Sequence, residues 1–200
     1  MLDRTIPFYN VIMRCDSISA TTAVLPKGYA FHMYQEGNEI DWAHLEYEIG
    51  DFTTLEEAQA YFKSTYLSST LNINERCVFV VNPEGKIVGS CIAWKDDRQG
   101  TPVASLHWLV VSPKYQGLGI GKALGCKVLE IFHLNNELPI YIHTQPWSWK
   151  AILLYISLGF RIQKIDTFSH YENQYIKAME TLRNVVSEKQ YELMKNTCDQ

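Results

Sequence analysis

Ser112-Pro113-Lys114-Tyr115-Gln116-Gly117-Leu118-Gly119-Ile120-Gly121-Lys122-Ala123-Leu124 is the stretch on which the reading of this chain turns. The apolar run Val103–Val111 precedes it and reads as a buried strand, which Ser112-Pro113 ends because proline cannot donate to a central ladder. Behind it Ile120, Ala123, Leu124, Lys127, Val128, Ile131 and Phe132 recur at helical spacing. A strand therefore runs through a glycine-rich turn into a helix. Glycines there let the backbone curl so that successive N–H groups point inward as an anion nest. The helix N-terminus adds roughly half a positive charge, and the two together suit a phosphate or pyrophosphate.

Two familiar phosphate loops fail on spacing. A Walker A loop needs G-x-x-x-x-G-K-[ST], but Gln116 stands five residues before Gly121 and Ala123 follows Lys122. A dinucleotide fingerprint needs G-x-G-x-x-G, but Gly117-x-Gly119 leads to Lys122 and Gly119-x-Gly121 leads to Leu124.

Outward from the loop, Ile6 to Arg14 and Tyr29 to Tyr34 read as early strands separated by a turn at Pro26-Lys27-Gly28. Glu39 to Ile49 fits a helix. Thr54-Leu55-Glu56-Glu57 forms a capping box, and Leu55, Ala58, Phe62 and Tyr66 predict a helix over Leu55–Leu67. Cys77–Val81, the turn Asn82-Pro83-Glu84-Gly85 and Ile87–Trp94 form a hairpin, followed by a polar loop at Lys95–Gly100. Beyond the loop helix come a strand at Pro139–Thr144, a helix at Ser148–Leu158 closed by Gly159, and a last strand at Phe160–Ile165. The order is β-β-α-α-β-β-β-α-β-α-β, a mixed sheet in an α/β fold, with an added C-terminal helix. Residues 1–172 are expected to form one domain and 173–200 a helical appendage.

Gln116-x-x-Gly119-x-Gly121 matches Q/R-x-x-G-x-G/A, and Ala151-Ile152-Leu153-Leu154-Tyr155-Ile156-Ser157-Leu158-Gly159-Phe160 matches A-x-x-L-Y-x-x-x-G-F. In these two motifs and their order the chain resembles the GNAT superfamily of acyl-CoA N-acyltransferases, from about Tyr29 to Ile165. The resemblance implies an N-acetyltransferase that passes the acetyl group of acetyl-CoA to a primary amine by direct attack in a ternary complex. It implies pyrophosphate binding by Gln116, Gly117, Leu118, Gly119, Ile120, Gly121 and Lys122. Backbone of Leu109, Val110 and Val111 is implied to pair with the pantetheine and face the thioester carbonyl. Where the family often carries asparagine, three residues before the motif alanine, this chain has Ser148, a shorter donor.

The chemistry needs a neutral amine, a stabilised oxyanion and a proton for the thiolate. With a pKa of about 10.4, only about one in a thousand lysine-like amines is neutral at pH 7, so a general base is useful. Tyr155 is the candidate acid, the alternative being a core aromatic among Ile152, Leu153 and Ile156. His107 is the candidate base, on a strand whose alternation puts it on one face with Ser105, Leu109 and Val111. The Leu-His-Trp-Leu-Val-Val pattern is similar to that of arylalkylamine N-acetyltransferases; the alternative is a buried structural histidine. Glu46 and Glu48 are further candidate bases. Tyr29, Phe31, Tyr34, Trp42 and Tyr47 fall where such proteins build the acceptor pocket, although core packing explains them equally well.

Other functions find less support. The five cysteines form no C-x-x-C pair and the histidines lack metal-ligand spacing, so no metal is expected. A net charge of −4 advertises no nucleic-acid surface. No basic-then-apolar leader and no membrane-length apolar run is seen, and a cytoplasmic location is expected. A homodimer stays open, as does a non-catalytic acyl-CoA-binding module on the same fold.

Overall fold

The computed structural model describes residues 3–18 and 22–199. Its strands are β1 (Val11–Cys15), β2 (Ala30–Met33), β3 (Cys77–Val81), β4 (Ile87–Arg98), β5 (Thr101–Val111), β6 (Ile140–Thr144) and β7 (Arg161–Ile162). Its helices are α1 (Asn38–Ile49), α2 (Leu55–Phe62), α3 (Ile120–Leu134), α4 (Trp149–Ser157), α5 (Tyr175–Val185) and α6 (Glu188–Asn196). The expected mixed α/β order is present, but two helices follow β7 where the sequence suggests one. Val186 is extended, and Ser187 with Gln190 forms a reciprocal capping box that starts α6 afresh.

The chain divides into two compact units. The first comprises Thr22–Ala93 and His107–Ile131. Within it the strands lie in the order β2-β3-β4-β5, with β2/β3 and β3/β4 antiparallel. Cys77, Val78, Phe79 and Val80 are fully buried, which is why β3 reads as one apolar run rather than an alternation. Helix α1 begins after left-handed Gly37, carries Glu39 and Asp41 in its first turn where the dipole favours anions, and ends at left-handed Gly50. Helix α2 starts on Thr54, whose hydroxyl accepts the Glu57 amide at 3.1 Å. The Glu57 carboxylate takes the Thr53 amide at 3.1 Å, so the box closes one residue early. The helix predicted to Leu67 changes character at Lys63–Leu67, a π-helical turn.

The second unit comprises Leu2–Thr21, Trp94–Leu106 and Phe132–Gln200. Here β5 runs parallel to β6 (Ala104 opposite Ile140), while β1 lies antiparallel between β6 and β7. Ile12, Tyr141 and Phe168 form a buried cluster with Val103 and Tyr171 against it. Two expectations are corrected in this unit. The polar loop at Lys95–Gly100 is strand as far as Arg98, and the turn is Gln99-Gly100, both at positive φ as a two-residue hairpin requires. Its charges find partners: Lys95 pairs with Glu137 at 2.8 Å, and Arg98 with Asp166 at 2.5 Å. The strand expected over Phe160–Ile165 is only Arg161–Ile162. Beyond it the Asn173 side chain holds the carbonyls of Gln163 and Asp166 at 2.9 and 2.7 Å, and Asp199 takes the Lys164 amide at 2.8 Å. Backbone groups that would extend the ladder are thereby used elsewhere.

Candidate active site

At the end of β5 the Ser112 amide still donates to the Val88 carbonyl at 2.9 Å, and Pro113–Tyr115 then forms a single 3-10 turn. Gly117 and Gly119 follow at φ 80° and 83°, a region that L side chains rarely adopt. A Cβ on either would meet nothing within 4 Å, so the glycines serve backbone shape and open space rather than packing. Gln116, Gly117, Leu118, Gly119 and Lys122 are exposed, while Ile120 is buried and anchors the start of α3. The first amides of that helix have no intrahelical partner. An exposed curl of backbone amides ending on a helix N-terminus, with Lys122 beside it, fits a pyrophosphate. The Gln116 side chain is already engaged, donating from Nε2 to the Val111 carbonyl at 3.0 Å. From the opposite side Asn82 donates to the Tyr115 hydroxyl at 3.1 Å, tying the loop to the β3–β4 turn.

Three residues before Val111 the strand is broken in a way that alternation does not foresee. Trp108 has φ 48°, so the pleat is interrupted. The expectation that His107 shares a face with Leu109 and Val111 rests on unbroken two-residue alternation and does not carry across this point. Leu109 is partly exposed, whereas Val110 and Val111 are buried. His107 Nδ1 lies 2.9 Å from the Tyr66 hydroxyl. Tyr66 is fully buried on the π-helical turn, whose extra residue per turn redirects the side chains after Phe62. Helical spacing marks Tyr66 as core; nothing in that spacing signals a histidine partner.

The other candidates in this unit separate clearly. Tyr34 stacks on Phe62 and donates to Glu39 at 2.8 Å, so it is a packing residue. Tyr29 packs edge-on against Tyr115, Phe31 lies half-buried on β2, Trp42 is wholly buried, and Tyr47 is exposed. Trp108 together with Phe52 and Tyr61, two residues that no sequence motif singles out, surrounds Trp42 with ring centroids 5.5 to 6.1 Å from it. Glu48 is exposed, but Glu46 is 1% exposed and neither carboxylate oxygen has a hydrogen-bond partner. Burial pushes its carboxyl well above the usual range, and nearby Asp51 pushes in the same direction.

Ser148 and Tyr155 belong to the second unit. Ser148 precedes α4, and its hydroxyl accepts from Gln145 Nε2 at 2.9 Å. Tyr155 is 6% exposed, edge-on to Phe160 with centroids 6.0 Å apart. Gly159, at φ 96°, reverses the chain so that the Phe160 amide returns to the Tyr155 carbonyl at 3.0 Å. The L-Y-x-x-x-G-F pattern is thus a helix C-terminus with its aromatic clasp. His143 stacks on Tyr171 at 3.7 Å and meets Asn10 at 2.9 Å. Among the described residues no cluster of three or more His, Cys, Asp or Glu side chains is placed to hold a metal, and no helix is long and apolar enough to cross a membrane.

Known proteins resemble this chain in sequence and in fold. N-acetylaspartate synthetase of Xenopus tropicalis is 40% identical over 85 residues, 42% of this chain and 31% of that protein. The rat (Rattus norvegicus) synthetase is 29% identical over 140 residues, 70% of this chain and 43% of that protein. Glucosamine 6-phosphate N-acetyltransferase of Trypanosoma brucei brucei is 36% identical over 87 residues, 42% of this chain and 57% of that protein. The chain thus spans less than two thirds of the length of these curated relatives. The fold is shared with a GCN5-related N-acetyltransferase from Sphaerobacter thermophilus at TM-score 0.57 and 17% identity, over 80% of this chain and 51% of that one. It is also shared with an acetyltransferase of the GNAT family from Staphylococcus aureus at TM-score 0.52 and 19% identity, over 64% and 81%. Residues 31–160, well over half of the sequence, match the acetyltransferase (GNAT) family model, and the chain belongs to that family.

Proposed function

We propose that this protein transfers the acetyl group of acetyl-CoA to a primary amine within a ternary complex. The observation that carries the reading is the exposed loop with left-handed Gly117 and Gly119, opening α3 just beyond the interruption at Trp108. The amides from Gly117 to Lys122 hold the pyrophosphate. Backbone of Leu109, Val110 and Val111, just beyond the positive-φ Trp108, pairs with the pantetheine and meets the oxyanion. Gln116 acts indirectly by fixing the Val111 carbonyl.

In the reaction the amine nitrogen attacks the thioester carbon, an N–C bond forms and the C–S bond breaks. His107 takes the proton lost by the amine, directly or through water. In the tautomer whose Nδ1–H donates to the Tyr66 hydroxyl, the basic lone pair is on Nε2. The departing thiolate, whose acid has a pKa near ~8.5, takes a proton from water. The relatives' names point to the amines of aspartate and of glucosamine 6-phosphate as starting acceptors for an assay. A cytoplasmic location belongs to the same proposal.

Thermal unfolding with acetyl-CoA, CoA and NAD tests the cofactor. At about 100 times its Kd a ligand adds about 2.7 kcal/mol, several degrees for a chain this size. Acetyl-CoA and CoA are expected to raise Tm and NAD to leave it unchanged. No shift with either CoA species refutes the reading.

A further inference from the structure

The segment between Gln35 and Phe62, which contains α1 and all of α2, holds eight carboxylates and not one lysine or arginine. The whole chain has a net charge of only −4, so the negative charge is concentrated in this one stretch. The same stretch supplies Phe52 and Tyr61, and β5 of the same unit supplies Trp108. These three rings are half-buried and lie within 5.4 to 5.5 Å of one another, with Trp42 wholly buried behind them. Partly exposed aromatic faces carried largely by a carboxylate-rich segment suit a cation with an apolar body and disfavour an anion.

A second, independent observation singles out positive charge. Glu46 lies one helical turn beyond Trp42 on the same face of α1, almost completely buried, with both oxygens unpartnered. Its carbonyl accepts the amide of Asp51, the residue that precedes Phe52. A buried carboxyl without a donor lacks the pairing such groups normally find, and an ammonium is a partner that lets it ionise.

We propose that the acceptor is a cationic amine with an apolar body and no carboxylate or phosphate. Its body rests on Phe52, Tyr61 and Trp108, its charge is matched by the acidic α1–α2 segment, and Glu46 is the buried member of that match. This rests on the transferase reading above but departs from the acidic acceptors named for the relatives. It makes the acceptor side of this chain a determinant of specificity by repulsion as well as attraction.

The test compares phenethylamine and 1,5-diaminopentane with aspartate and glucosamine 6-phosphate in an acetyl-CoA transfer assay at low salt. At least one of the cations is expected to be acetylated with a kcat/KM about ten-fold or more above either acidic amine, with a KM that rises on adding NaCl. Tyr61→Ala and Glu46→Gln are each expected to raise that KM several-fold while the Tm shift with acetyl-CoA stays as in the parent. Equal or better use of either acidic amine, or acetylation of neither cation by protein that binds acetyl-CoA, overturns the inference and leaves cofactor binding standing. If acetyl-CoA gives no Tm shift, tryptophan fluorescence without cofactor decides. Saturable quenching by phenethylamine but not by aspartate supports the inference, and its absence overturns it.

Discussion

Replacing Glu46 by glutamine isolates the cost of ionising one buried carboxyl. In the folded protein burial, reinforced by Asp51, raises this group well above the ordinary glutamate range; in the unfolded chain it titrates near ~4.3. The folded state therefore keeps a proton that the unfolded state releases. Stability is lost as pH rises through the unfolded value and goes on falling until the folded value is reached. The slope is at most about 1.36 kcal/mol per pH unit. Between about pH 5 and pH 7 the parent is expected to lose up to about 2.7 kcal/mol relative to Glu46→Gln, about 5 to 11 °C in Tm for a chain of this size. At the acid end, near pH ~4, both folded side chains are neutral, so any packing difference appears as a constant offset and cancels. Urea titrations of both proteins at about pH 4, 5, 6 and 7 measure the gap. A gap that changes by less than about 0.5 kcal/mol from pH 5 to 7 refutes the reasoning, because it means the carboxyl is solvated or paired in solution.

Three further substitutions probe other links. At Gly89 an added Cβ would come within 2.9 Å of the Val110 carbonyl and 3.1 Å of Leu124, so Gly89→Ala should cost about 1–3 kcal/mol, read as a fall in Tm; an unchanged Tm means β4 and β5 separate freely there. Tyr66→Phe removes the 2.9 Å contact with His107 and is expected to lower kcat about ten-fold while leaving acetyl-CoA binding intact; equal kcat in the folded variant removes Tyr66 from the positioning of that ring. Burial opposes the charge on Asp166, but hydrogen bonds from Tyr141, Arg14 and Arg98 outweigh it and hold the carboxyl below its usual range. Its contribution is thus present above about 3.9 and lost as pH falls through the lower folded value. Asp166→Asn should cost about 1–2 kcal/mol at pH 7 and flatten the acid limb of stability, the figure kept low because Arg98 is 42% exposed. Identical acid limbs for the two proteins exclude the network as its source.

Much of the molecule is legible in the chain itself. The order of strands and helices, the glycine loop and the terminating Gly159 depend on local requirements: period, proline, and backbone angles that only glycine adopts cheaply. Reading them needs no knowledge of what packs against them. Lys95–Arg98 and Gln163–Ile165 are different. A polar stretch is strand or loop according to whether its charges and amides find distant partners. For the first stretch those partners are Glu137 and Asp166, which support a strand. For the second they are Asn173 and Asp199, which draw the backbone out of the ladder.

What only the tertiary structure decided is which side chains meet. Tyr66, on a π-helical turn, meets His107, next to the left-handed Trp108, across a sequence separation of 41 residues. In the sequence Glu46 is one glutamate among several on a polar helix; the packing of α1 is what buries it without a partner. Periodicity determines which face a residue takes along its own element. The environment on that face, and with it the protonation and partner of a side chain, is set by elements far away in the chain, and no local pattern encodes it.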